Sequence, residues 1–216
     1  MLNDLRTFHP RRSRPSTGAK FALEHLLKNY EMPSGTWNFE QIAPDKRIVV
    51  EIGSGMGEAA LALAAARPSD FIVCLEVHTP GVGSLIYKAD EAKLTNIKVV
   101  IKDALDVLNE SAADESIDEF RIWFPDPWRK TRHHRRRIIQ PEILDFLLTK
   151  LKSGGILHTI TDWDDYGVQM RKVLQSTAVL EVTELTDRPK WRPVTKFERR
   201  ALEAGRSIHE FIAIKK

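Results

Sequence analysis

Apolar and polar positions alternate along this chain in two distinct rhythms. Short β-branched runs, which read as buried strands, are separated by stretches with helical spacing. KRIVVEIGSGMG (46–57) is an apolar run that breaks into glycines, and EAALALAAARP (58–68) follows it as an alanine-rich helix ended by Arg67-Pro68. DFIVCLEVH (70–78) predicts a second strand, PGVGSLIYKADEAKL (80–94) a second helix, NIKVVIKDA (96–104) a third strand and IDEFRIWFPDP (117–127) a fourth. QPEILDFLLTKLKSGG (140–155) predicts an amphipathic helix opened by Pro141 and stopped by glycine, with GILHTITDW (155–163) as the fifth strand. YGVQMRKVLQST (166–177) is helical, and LEVTELT (180–186) and HEFIAIKK (209–216) read as a closing pair of strands around a long basic insertion. Upstream of all this, AKFALEHLLKNYEM (19–32) predicts one helix, stopped by Pro33-Ser34-Gly35.

Strands and helices in this alternation imply βαβ units and a parallel sheet. The expected fold is α/β, a mostly parallel doubly wound sheet with a C-terminal antiparallel strand. Right-handed crossovers place the strand C-termini on one edge, where open sheets of this kind bind ligands. A length of 216 residues suits a single such domain over 19–216, preceded by a Pro-, Ser- and Arg-rich arm over 1–18 that reads as flexible.

Composition narrows the class. At 42% hydrophobic and 29% charged, the chain reads as an ordinary soluble protein. No apolar run is long enough for a transmembrane helix, and the basic N-terminus lacks the apolar core of a secretory signal. Cys74 is the only cysteine, which excludes an intrachain disulfide and a cysteine-rich metal site and points to a cytoplasmic location. The seven histidines show no paired ligand spacing, so no metal is expected. Monomer and homodimer are both compatible with the sequence.

The net charge of +3 conceals an uneven distribution. Residues 1–20 carry +4, residues 128–137 carry +6, and the remainder carries −7. Two basic patches on an acidic body describe a polyanion-binding surface.

The candidate chemistry lies just after the strands. VVEIGSGMGE carries Gly53, Gly55 and Gly57, a G-x-G-x-G turn that allows positive φ and close backbone approach of a ligand. It is not the dinucleotide fingerprint, and Glu58 would repel a pyrophosphate. Glu51 at the first strand end suits a ligand ammonium. Glu76 at the second suits two ribose hydroxyls, and Asp103 after the third suits an adenine amino group. An amine, a ribose and a base without phosphate describe S-adenosyl-L-methionine.

FPDPWRKTRHHRRR (124–137) follows the fourth strand. Pro125 and Pro127 stiffen the loop around Asp126, so this carboxylate is pre-aimed. Arg129, Lys130, Arg132, Arg135, Arg136 and Arg137, with His133 and His134 between them, form a run suited to phosphates. Such a run holds a nucleic-acid backbone without choosing a base. Asp126 can accept from the Watson–Crick edge of guanine. Asp162, at the end of the fifth strand, reads either as a site residue or as an N-cap for the next helix. Thr195 and Glu198 have the spacing of a capping box.

EIGSGMG, EVHTPGVG, FPDPWRKTRHHRRR, TDWDDY and RPVTKFERR together, over roughly residues 20–216, resemble the bacterial single-chain tRNA (guanine-N7)-methyltransferases. The resemblance implies a Rossmann-like class I methyltransferase, S-adenosyl-L-methionine as cofactor, and methylation of guanosine 46 in the tRNA variable loop. It implies Glu51, Glu76, Asp103 and Asp126 as cofactor-pocket acids beside Gly53, Gly55 and Gly57, with Asp126 also catalytic. It implies Lys130, Asp162, Thr195, Lys196, Phe197 and Glu198 as substrate-binding residues. Arg132, His133, His134, Arg135, Arg136 and Arg137 become RNA contacts. A methyltransferase with another acceptor, or a non-catalytic RNA-binding protein on the same fold, are the competing readings. A small acceptor does not need six cations, and the intact acids argue against lost catalysis. The glycine spacing argues against a nicotinamide enzyme.

Overall fold

The computed structural model describes residues 6–9 and 13–216. Part of the arm read from the sequence, residues 1–5 and 10–12, therefore lies outside the described residues. The chain divides into two compact units.

The first unit, Pro10–Ala113, carries α1 (Thr17–His25), α2 (Leu27–Tyr30), α3 (Phe39–Ile42), β1 (Arg47–Ile52), α4 (Glu58–Ala66), β2 (Asp70–Leu75), α5 (Thr79–Glu91), β3 (Ile97–Val100) and α6 (Ala104–Ser111). β2 pairs in parallel with β1, Arg47 opposite Asp70 through Ile52 opposite Leu75, and with β3, Ile72 opposite Ile97 through Leu75 opposite Val100. Every residue of β2 is buried, as its continuous apolar run requires of a strand covered on both faces. The helix expected over 19–32 begins two residues earlier, capped by the Ser16 side chain on Ala19 N, and breaks at Leu26 into α1 and α2. The chain then leaves helical geometry because Glu31 bridges to Val99 and Met32 N donates to Val99 O.

The second unit, Asp114–Lys216 with the N-terminal residues up to His9, carries β4 (Ile117–Trp123), a 3₁₀ helix (Thr131–Arg136), α7 (Pro141–Lys150), β5 (Leu151–Thr161), α8 (Asp164–Ser176), β6 (Leu180–Leu185), α9 (Lys196–Glu203) and β7 (His209–Lys215). β4 and β5 are parallel, whereas β7 lies antiparallel between β5 and β6. The strands read β3-β2-β1 in the first unit, all parallel, and β4-β5-β7-β6 in the second, with β7 as the reversed strand.

A second boundary differs from the sequence expectation. The helix drawn through to Gly154-Gly155 ends at Lys150, and Leu151 already pairs with Ile117 in β5. The register then slips, Glu119 facing Ile156, so Lys152–Gly155 form an irregularity in which Gly154 has φ 75°. Burial of Leu151 overrides the helical period there.

Candidate active site and nucleic-acid interface

In the first unit, three acids occupy the carboxyl ends of three adjacent parallel strands. Glu51 is buried near the end of β1, Glu76 immediately follows β2, and Asp103 caps α6 beyond β3. The Glu76 carboxylate is fixed by backbone: Gly55 N donates to Oε2 at 2.7 Å and His78 N to Oε1 at 2.8 Å. One Asp103 oxygen accepts from Leu105 N at 2.8 Å, so this acid opens a helix as well as ending a strand. His78, which sequence reading left out, accepts from Gly81 N through Nδ1 at 3.2 Å, and its Nε2 pairs with Ser13 Oγ at 2.9 Å.

The glycines in the intervening turn differ in what they require. Gly53, Gly55 and Gly57 all have positive φ, at 80°, 58° and 76°. A Cβ at Gly53 or Gly55 would meet nothing within 4 Å, whereas one at Gly57 would lie 2.4 Å from Leu85 Cγ. Gly57→Ala therefore combines left-handed strain with overpacking. It is expected to lose at least about 2 kcal/mol in denaturant unfolding. Gly53→Ala, with the strain alone, is expected to lose only about half as much.

In the second unit, Asp126 and Asp162 follow the ends of the neighbouring parallel strands β4 and β5. Phe124 N donates to Ile160 O at 2.8 Å, extending the ladder to the start of the Asp126 loop. The loop is strained at both ends: Phe124 and Trp128 have φ 54° and 47°. Left-handed backbone at a non-glycine residue costs about 1–3 kcal/mol and persists only where surroundings enforce it. Here they do. Trp128 is 3% exposed, donates Nε1–H to Thr7 O at 3.2 Å, lies 3.8 Å from the His9 ring and carries the Arg136 guanidinium 5.0 Å above it. Its role is to anchor the loop by packing. His9 N donates to Asp126 Oδ2 at 2.7 Å, so a residue far upstream in the chain contributes to this carboxylate's surroundings. Nothing in the sequence pattern marked Thr7 or His9.

Asp162 is not a helix cap. Its Oδ2 accepts from Arg206 Nε at 2.9 Å and Nη2 at 2.8 Å, and Trp163 stands at the N-cap of α8 without a side-chain bond. Thr195 does cap α9, accepting from Glu198 N at 3.2 Å. The reciprocal half of the capping box is diverted, because the buried Glu198 carboxylate accepts from Arg192 at 2.6 and 2.9 Å. Lys196 and Phe197 remain exposed at the start of α9, and the Phe197 ring stacks on Phe124 with centroids 6.2 Å apart.

The basic run forms the 3₁₀ helix. Lys130, Arg132 and Arg135 are exposed, and His133, His134 and Arg136 are half-buried. The expectation that the whole run faces RNA is corrected at Arg137. This side chain is 1% exposed and turned inward, where Pro127, His134, Asp165 and Gln169 satisfy its guanidinium. Partial burial, then Arg132, Arg136, Lys130 and His9, hold the His133 imidazole below the ordinary histidine value. Its ring is therefore expected to titrate below about 6.5 by NMR, and the midpoint should rise when polyanionic RNA offsets the neighbouring cations.

Parallel strands flanked by helices, with a glycine turn after β1, make a Rossmann-like α/β fold of the methyltransferase kind. Solved methyltransferases share the fold. One is a precorrin-6y C5,15-methyltransferase from Geobacter metallireducens, 15% identical, with a TM-score of 0.56 over 80% of this chain and 81% of that one. A family model described as "Putative methyltransferase" matches residues 45–211. Curated relatives carry a specific name. A tRNA (guanine-N(7)-)-methyltransferase of Burkholderia pseudomallei strain 1710b is 42% identical over 223 residues, covering 100% of this chain and 83% of the relative. One from Nitrosospira multiformis is 42% identical over 220 residues, covering 98% and 95%. The chain belongs to the tRNA (guanine-N(7)-)-methyltransferase family.

Among the described residues, no helix is long and apolar enough to cross a membrane, and no group of three His, Cys, Asp or Glu is arranged to hold a metal ion.

Proposed function

We propose that this chain transfers a methyl group from S-adenosyl-L-methionine to N7 of guanosine 46 in the variable loop of tRNA, in the cytoplasm. The observation that carries the reading is Asp126. It is a carboxylate on a loop strained at both ends, anchored by Trp128, and followed directly by an exposed cationic helix. Family membership supplies the acceptor class, and the chemistry of the residues supplies the roles.

The first unit suits the donor. Glu76, its carboxylate pre-oriented by two backbone N–H groups, accepts from the ribose hydroxyls. Glu51 faces the ammonium, Asp103 accepts from the adenine amino group, and the turn at Gly53 and Gly55 has room for close approach of a ligand. When bound, the donor supplies a methyl on a sulfonium that departs as a neutral thioether.

N7 of guanine has a lone pair and no proton, so no side chain is needed to remove one. The contribution of the protein is alignment, which supplies about 7–11 kcal/mol through effective molarity when well made. Asp126 orients the base and stabilises the positive charge that develops on the purine, with Asp162 assisting. Lys130, Arg132, His133, His134, Arg135 and Arg136 hold the RNA backbone, while Thr195, Lys196, Phe197 and Glu198 form the start of α9 at the acceptor site. Position 46 is tested by incubating labelled donor with two tRNA transcripts, one wild type and one carrying adenosine at 46. Label only in the wild-type transcript is expected. Equal label in both would place the methyl elsewhere.

Truncating an exposed cation in this set should act through salt. Arg135→Ala is expected to weaken tRNA binding several-fold and to lower the slope of log affinity against log salt by about one. A filter-binding series over salt concentration measures both.

A further inference from the structure

Arg137 ends the basic run, yet its surroundings are those of a structural clamp. Its Nε donates to Pro127 O at 2.9 Å, Nη1 to Gln169 Oε1 at 2.6 Å, and Nη2 to Asp165 Oδ2 at 2.5 Å, with His134 Nε2 at 3.0 Å from the same Nη2. The guanidinium lies 4.7 Å from the Tyr166 ring centroid, and Tyr166 Oη accepts from Ile139 N at 3.0 Å. Gln169 closes the circuit by donating Nε2–H to Ile139 O at 3.2 Å. One planar fork thus joins the Asp126 loop, the 3₁₀ helix, the 137–139 segment and α8.

The bond to Pro127 is the informative one. The proline ring already fixes φ of that residue. With its carbonyl also held, Pro127 is restrained in ψ as well, and Asp126, itself restricted by the proline that follows it, sits on a segment tethered at its C-terminal side. We infer that Arg137 is a positioning residue for Asp126, held away from the RNA, and that α8 supports the reactive loop through Asp165 and Gln169. This inference rests on the proposed methyl transfer for its kinetic consequence only. Lysine cannot replace the fork, because an ammonium is a point charge and cannot serve three separated acceptors in one plane. The Asp165 carboxyl is held below its usual range, first by the hydrogen bond from Arg137, in keeping with a cation committed to this site.

The test compares Arg137→Lys, Asp165→Asn and Gln169→Leu with the wild type in the full chain, alongside the exposed Arg135→Ala. Asp165 is 60% exposed, so its variant keeps the reading testable if Arg137→Lys fails to fold. Three quantities are read: the salt slope of tRNA affinity, the single-turnover rate at saturating tRNA and donor, and hydrogen exchange of peptides covering 124–130. For Arg137→Lys we expect a wild-type salt slope, faster exchange in 124–130, and a saturating rate at least about tenfold lower. On an Asp126→Asn background the same change should cost little more, because both act through one carboxylate. A slope lowered by about one, as for a lost phosphate contact, would overturn the inference. So would an unchanged saturating rate with unchanged loop exchange. A wild-type chain that forms no 7-methylguanosine would sink the functional reading instead, and loop exchange and salt slope would still decide the role of Arg137.

Discussion

Asp126→Asn is expected to lower the single-turnover rate of methyl transfer by about 10²–10³-fold, the usual effect of removing one pre-aimed electrostatic group. The change is isosteric, and the loop keeps its other anchors: Trp128 on Thr7 and His9, and Pro127 on Arg137. The amide oxygen can still accept from His9 N, which bonds the carboxylate in the wild type. Thermal stability and tRNA affinity should therefore stay close to wild type, so that the loss falls on the rate alone. Stopped reactions at saturating tRNA and donor measure that rate. A variant within about fivefold of wild type would remove Asp126 from the chemistry and leave it a loop-shaping residue.

The second large effect is on stability. Arg192 is fully buried and sits between two buried carboxylates. It donates to Glu198 at 2.6 and 2.9 Å and, through Nη2, to Glu210 at 3.0 Å. Glu210 is also bonded to His158 Nε2 at 2.8 Å. Arg192→Leu would leave two acids in the interior without their shared cation, at a cost of about 3–5 kcal/mol. In a chain of this size each kcal/mol moves the melting temperature by about 2–4 °C, so a fall of roughly 6–20 °C is expected by calorimetry. The network ties the start of α9, with Thr195–Glu198, to β7 and β5. A shift below about 2 °C would mean that water reaches the carboxylates and that this tie carries little.

How much of this was legible in the sequence varies with the range of the interaction. Local signals read well. The β-branched runs, the glycine turn and the strand-end acids declared the doubly wound sheet, because period and turn chemistry act over a few residues. Boundaries failed where tertiary burial won: Leu151 joined β5 although its helical period continued, and the helix expected over 19–32 ended at Tyr30, just before Met32 reached Val99. Composition marked 128–137 as one basic surface, but a charge count cannot see that Arg137 faces inward while Arg135 faces water. The partners that reverse the reading, Asp165 and Gln169, lie beyond α7 and β5 in the chain. The capping box at Thr195 was half legible for the same reason. The Thr195 cap is local, whereas Arg192, which draws the Glu198 carboxylate away, is itself bonded to Glu210 on β7. His9 on Asp126 spans 117 residues and has no sequence signal at all.

The central claim is that this chain places a methyl on N7 of a tRNA guanine. The most direct measurement is nucleoside mass analysis of an unmodified tRNA transcript incubated with the wild-type chain and S-adenosyl-L-methionine. A single new nucleoside, 7-methylguanosine, is expected, formed about 10²–10³-fold more slowly with Asp126→Asn. A methylated nucleoside of any other kind, or none while the donor is bound, would contradict it.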